Sequence, residues 1–213
     1  MGTHVYTTAY VFSSSVVFAD GRILHNLPEG NSVWGVTSVD NLIYVLRDKA
    51  LLQISVYDAD SYRLKRRITV PSLGGISDIA SCPYYRCLYI AGCGDKCLHT
   101  VALLNDDDVT SWPVSDKVVC LSVTNTHSVL VTCDEVRKIK EFSTDGKLLR
   151  QIQLPWEVLS PCHTIQLSSG EFVVCHGDDD DLEYRVCLID SDGLVVDWYD
   201  DLFRQCTQSA CCG

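Results

Sequence analysis

Four prolines recur at a nearly constant interval. Pro28, Pro71, Pro113 and Pro155 are separated by 43, 42 and 42 residues, and each closes a similar segment: Ile23–Pro28, Arg67–Pro71, Thr110–Pro113 and Gln151–Pro155. Two further markers keep the same interval. Val36, Ile79, Leu121 and Ile165 lie 43, 42 and 44 residues apart, and the pairs Tyr44-Val45, Tyr89-Ile90, Leu130-Val131 and Val173-Val174 repeat alongside them. A chain with such a period is built from repeated units, each too small to bury its apolar face alone.

Within one period there are four short runs rich in Val, Ile, Leu, Tyr and Thr. In the unit from Val33 to Pro71 they are Val33–Thr37, Leu42–Val45, Gln53–Tyr57 and Lys65–Val70. Turn-forming residues separate them: Asp40-Asn41, Arg47-Asp48-Lys49 and Asp58-Ala59-Asp60. The turn between third and fourth runs recurs as Asp20-Gly21, Asp145-Gly146 and Asp192-Gly193, where glycine accepts a positive φ. No segment sustains helical periodicity, apart from one possible short turn over Asp200–Arg204.

Four short antiparallel strands per period of this length describe a β-propeller blade, an all-β fold in which neighbouring sheets cover each other's faces. The expected organisation is a single domain over residues 1–204, with a partial blade at 4–30 and full blades at about 31–73, 74–116, 117–158 and 159–202. A short Cys-containing tail, 205–213, follows. Its patternless sequence points to a partial propeller; a five-bladed ring closed by a terminal strand near Phe203–Cys206 is the alternative. An all-β sandwich does not account for the regular repeat.

The repeats resemble NHL repeats, in which an "I-x-V-F-D-x-x-G-x-x-L" hairpin precedes a proline and a "G-I-A-V" strand. Ile54–Asp58 followed by Leu64–Ile68 and Pro71 fits that pattern, as does Ile139–Leu149 leading to Leu154-Pro155. The departures are an approximate glycine position at Gly74-Gly75 and Tyr44-Val45-Leu46-Arg47 where the family has "Y-V-A-D". The resemblance implies a propeller that presents its loops to a partner. In tripartite-motif relatives the propeller recruits substrate for a ubiquitin ligase, and others of that class bind RNA. No RING or B-box pattern occurs here, so a ligase role would need another chain.

Composition narrows the function classes. The 213 residues are 46% hydrophobic, which excludes disorder, and the net charge of −11 disfavours DNA or RNA binding through a broad basic surface. No apolar run is long enough to span a membrane. The N-terminal residues lack a basic n-region, so the expected location is cytoplasmic. The twelve cysteines then read as thiols of a reducing compartment. No Cys-x-x-Cys occurs, and the spacings of Cys82, Cys87, Cys93 and Cys97 are too loose for a zinc site.

Several clusters invite a chemical reading. Five carboxylates crowd into Asp178–Glu183, yet they lack the alternation of a calcium loop and read as a solvated turn, as does Asp106–Asp108. Cys120 and Cys133 are 13 residues apart, as are Cys162 and Cys175, one repeat later; they read as small core hydrophobes, with cross-strand bridging the alternative. Cys162-His163 and Cys175-His176 form adjacent Cys–His pairs, but no oriented carboxylate or oxyanion signal accompanies them. Basic groups at Arg63–Arg67 and Arg137–Lys140 sit on different repeats and read as edge protection.

The expectation is therefore a non-enzymatic protein-interaction module with no cofactor or metal. Its contacts would be Arg47, Asp48, Lys49, Asp95, Lys96, Arg137, Trp156 and His176. RNA binding, and a metal-dependent hydrolase or lyase like some six-bladed propellers, are the alternatives.

Overall fold

The computed structural model describes residues 9–12, 15–18, 23–26, 33–47, 53–70, 75, 77–92, 94, 96–104, 108–178 and 183–199. These hold nineteen strands and no helix, hence no helix long and apolar enough to cross a membrane. The fold is the expected β-propeller of four-stranded antiparallel blades. Residues 105–107, 179–182 and 200–213, with the proposed helical turn, the closing strand, the tail cysteines and most of the acidic run, lie outside the described residues.

The chain divides into two compact units, Met1–Trp112 and Pro113–Gly213. The first begins with a three-stranded sheet of β1 (Ala9–Phe12), β2 (Ser15–Phe18) and β3 (Ile23–Asn26), at the place expected for the partial blade. Two full blades follow. One holds β4 (Val33–Val39), β5 (Leu42–Arg47), β6 (Gln53–Asp58) and β7 (Leu64–Thr69); the other holds β8 (Asp78–Cys82), β9 (Cys87–Ala91), β10 (Cys97–Ala102) and β11 (Val109–Pro113).

The second unit has two blades of the same order. They are β12 (Cys120–Val123), β13 (Val129–Cys133), β14 (Lys138–Phe142) and β15 (Leu148–Gln153), then β16 (Pro161–Gln166), β17 (Phe172–Asp178), β18 (Glu183–Ile189) and β19 (Val195–Tyr199). In every full blade each strand pairs antiparallel with the next along the chain. The two apolar markers fall on the first and second strands of each full blade; of the prolines, Pro113 ends β11 and Pro155 follows β15, while Pro28 and Pro71 lie outside the described residues.

Burial follows strand position. Every residue of β9 and β13 is buried, because a second strand lies in the middle of its blade and is covered on both faces. The fourth strands β7 and β15 are mostly exposed; the third residue, Arg66 or Arg150, is half-buried, and only the second-last, Ile68 or Ile152, turns into a core. In the first unit Tyr44, Leu46, Ile54 and Val56 of one blade pack with Ile79, Leu88, Ile90 and Val101 of the next. In the second, Leu130, Ile139 and Ile152 meet Phe172, Val174, Cys187 and Ile189. The apolar faces of adjacent blades thus supply each other's burial, the reason a single repeat cannot stand alone.

First strands of neighbouring blades approach closely and are joined by hydroxyls. Thr37 Oγ1 donates to Ser81 Oγ at 2.6 Å in the first unit. Ser122 Oγ donates to the Thr164 carbonyl at 2.6 Å in the second, where Thr132 Oγ1 of the second strand β13 also donates to Thr164 Oγ1 at 3.0 Å. Gly35 marks the same closeness, since a Cβ there would lie 2.7 Å from Ile79 Cγ2.

Two of the expected Asp-Gly turns are present. Gly146 and Gly193 have φ of 83° and 89°, and Ser143 N–H and Asp190 N–H reach the carbonyls of Lys147 and Leu194. They are four-residue reversals ending in a left-handed glycine rather than two-residue hairpins. The corresponding turn after β6 has no glycine; Tyr62 takes the positive φ instead, at 54°.

Candidate functional site

In a four-stranded antiparallel blade the start of the first strand, the end of the second and the start of the third share one end. In the second unit that end gathers Cys120, the β13–β14 turn, the β15–β16 connection and the opening of β16. Hydrogen bonds to backbone carbonyls tie these segments together. Leu154 N–H donates to the Arg137 carbonyl at 2.9 Å, Gln153 Nε2 to the same carbonyl at 2.9 Å, and Gly177 N–H to the Leu159 carbonyl at 3.1 Å.

Two of the expected contact residues meet here. Arg137 holds a positive φ of 48° in its turn, and its Nη1 donates to the Trp156 carbonyl at 3.2 Å. Trp156 itself is 72% exposed, and Leu159 beside it 47%. Val158, fully buried in the core of the unit, pins the connection from beneath. The result is a large aromatic side chain held outward on a short, anchored loop.

The other expected contacts divide three ways. Lys96 is exposed, with a φ of 52°. Asp48, Lys49 and Asp95 lie outside the described residues. Arg47 and His176 are corrected: both are buried and cannot be offered to a partner. Arg47 closes β5 and donates from Nη2 to Tyr57 Oη at 3.1 Å. His176, only 2% exposed near the end of β17, sets its ring edge-on to Trp198 with centroids 5.6 Å apart. Both were read as loop residues because the strands run further than their apolar cores.

Within the basic group at Arg137–Lys140, Lys140 is likewise not at the surface. Lys140 is 4% exposed, and its Nζ contacts Asp116 at 2.5 Å, the Val114 carbonyl at 3.0 Å and Ser115 Oγ at 3.0 Å. On the same strand the buried Glu141 accepts from Ser128 Oγ and from Arg150 Nε, the latter at 2.5 Å.

The sequence offers only adjacent Cys–His pairs and gives them no catalytic reading; the contact in the structure is of another kind. Instead of chain neighbours, Cys120 Sγ at the start of β12 contacts His163 Nδ1 on β16, 43 residues later. A bulge between Pro161 and His163 displaces Cys162 from the ladder, so that His163 rather than Cys162 stands opposite Cys175. Ser122 from the first strand β12, and Thr132 from its neighbour β13, bond Thr164 of β16 beside this contact. A spacing of one repeat between a Cys and a His is the sequence signal that could have found it.

The eight described cysteines are all thiols. Burial pushes the Cys133 thiol up to about 11; burial, then the nearby Cys175, does the same to Cys187. Burial also raises Cys175. A thiol whose pKa is raised on folding stabilises the fold below its unfolded pKa and loses that contribution as pH rises through the folded value. Stability of the second unit is therefore expected to fall from about pH 9 to about pH 11. Denaturant melts across that window check this, and Cys133→Ala should flatten the slope.

No protein-family model matches the sequence, and a search of curated proteins finds no match. Solved structures do match. Hydrazine synthase of Kuenenia stuttgartiensis is similar with a TM-score of 0.63 at 14% identity, over 78% of this chain and 48% of that one. Virginiamycin B lyase from Staphylococcus aureus gives 0.66 at 14% identity, over 89% and 64%. Its catalytically inactive histidine-to-alanine variant with quinupristin gives 0.67 at 12%, over 95% and 73%. The chain thus spans about half of the hydrazine synthase chain and under two-thirds of the first lyase chain.

These likenesses show the fold. They also overturn the expectation of a non-enzymatic chain, because structures named as a synthase and a lyase carry the same architecture. A propeller without a recognisable catalytic motif is no ground for excluding catalysis.

Proposed function

We propose that the strand-entry end of the second unit is a protein-docking face, with Trp156 as its anchor and Arg137 and Leu159 beside it. The observation that carries this is the exposure of Trp156 on a connection clamped by Arg137 and Val158. A rigid aromatic side chain loses little conformational entropy on binding, and Trp and Arg are the side chains that dominate interface energetics. The NHL-like repeat pattern supports the reading, since that resemblance implies partner recruitment, and cytoplasmic placement accords with the abundance of thiols. The fold alone does not select it.

Trp156→Ala should leave the melt of the chain within about 0.5 kcal/mol of wild type, as for a surface change. The same variant should weaken capture of a partner by about tenfold or more, a hot-spot effect. Arg137→Glu should also weaken it, and by less at high salt, where the introduced charge is screened. Unchanged capture by the Trp156 variant would sink the proposal. Retention on single-stranded RNA that fades steeply with salt would replace the protein partner with a nucleic acid.

A further inference from the structure

We propose that Cys120 and His163 form a thiolate–imidazolium pair able to accept an acyl group. Three features of the second unit converge on them. Cys120 Sγ and His163 Nδ1 are in direct contact, brought together from first strands of adjacent blades. The bulge at Pro161–His163 takes Cys162 out of the ladder and sets His163 in register opposite Cys175, a device that re-aims side chains. The hydroxyl bond of Ser122 to Thr164 joins both first strands one or two residues away, and Thr132, opposite Cys120 on β13, bonds Thr164 as well. Cys120 is 5% exposed while His163 is half-buried, so the imidazole forms the open side of the pair.

The chemistry follows from the contact. An imidazole beside a thiol accepts its proton, and the resulting thiolate is the nucleophilic form. Against an ester the sulfur lone pair forms a bond to the carbonyl carbon and the carbon–oxygen ester bond breaks. The leaving alkoxide takes the proton from the His163 imidazolium. Water then adds to the thioester carbon, giving one proton to the His163 imidazole; the carbon–sulfur bond breaks, the carboxylic acid leaves, and the thiolate–imidazolium pair is restored. Cys133 and Cys187, with pKa values pushed to about 11, provide protonated internal references on the same unit.

The test uses the whole chain, reduced, with p-nitrophenyl acetate, and reads acetylation of each cysteine by peptide mass. At about pH 6, where an ordinary thiol is almost wholly protonated, Cys120 should be acetylated about tenfold or more faster than Cys133. His163→Gln should abolish that advantage and move the pH profile of Cys120 upward, toward about 8.5. The wild-type pH profile needs no variant, so a His163→Gln chain that fails to fold leaves it readable. Cys120 reacting no faster than Cys133 overturns the proposal, as does a His163→Gln profile identical to wild type.

Discussion

Lys140→Met is expected to destabilise the second unit by about 3 kcal/mol, near the low end for breaking a buried ion pair. All three ammonium donors are engaged, with Asp116, the Val114 carbonyl and Ser115 Oγ. Methionine keeps the volume of the stem, so the loss is polar rather than a cavity. The partners fare unequally. Asp116 is 28% exposed and can recover water, which keeps the cost below the upper range. Val114 is buried, and its carbonyl loses one of its two donors and keeps the Ser115 hydroxyl.

The same reasoning ranks a second variant. Asp116→Asn leaves Lys140 with two acceptors and an amide oxygen at the old carboxylate position, so about 1–2 kcal/mol is expected. Denaturant melts of both single variants and the double variant give the coupling between them. A Lys140→Met loss within about 0.5 kcal/mol of wild type would show that the buried charge stabilises nothing, as has been found for some buried pairs. The loop held by Lys140 leads directly into Cys120, so a loosened loop should also slow acetylation of that cysteine.

The blade repeat was legible because it is a property of spacing. A blade must bury both faces against its neighbours, so apolar pairs such as Tyr44-Val45 and Leu130-Val131 recur at the blade interval whatever the ligand. Turn chemistry at Gly146 and Gly193 was legible for a similar local reason. What a residue meets across the gap between blades was not. Cys120 and His163 belong to different repeats, and adjacent-residue motifs pointed to Cys162 and Cys175 instead. Arg47, Lys140 and His176 are polar by type and were assigned to the surface. Each lies in a strand where a partner, Tyr57, Asp116 or Trp198, makes burial tolerable. Trp156 could be placed because it follows the proline that ends a repeat.

Gly193→Ala is expected to cost about 3–4 kcal/mol, from a left-handed backbone (~1–2) and a collision (~1–3) acting together. The φ of Gly193 is +89°, and an added Cβ would lie 2.5 Å from the Gln153 carbonyl oxygen and 2.9 Å from Ile152 Cγ2. The nearer atom is backbone of the preceding blade's fourth strand, so it cannot swing aside like a side-chain tip. Gly170 separates the two causes. Its φ is +96°, but nothing lies within 4 Å of its would-be Cβ. Gly170→Ala should therefore cost only about 1–2 kcal/mol. Equal losses for the two variants in denaturant melts would remove the collision from the account. The strand pushed aside by Gly193→Ala also carries Gln153, whose Nε2 donates to the Val136 and Arg137 carbonyls at 3.1 and 2.9 Å. A shift there loosens the clamp on the Trp156 connection, so Gly193→Ala should weaken partner capture even below its melting midpoint, whereas Gly170→Ala should not.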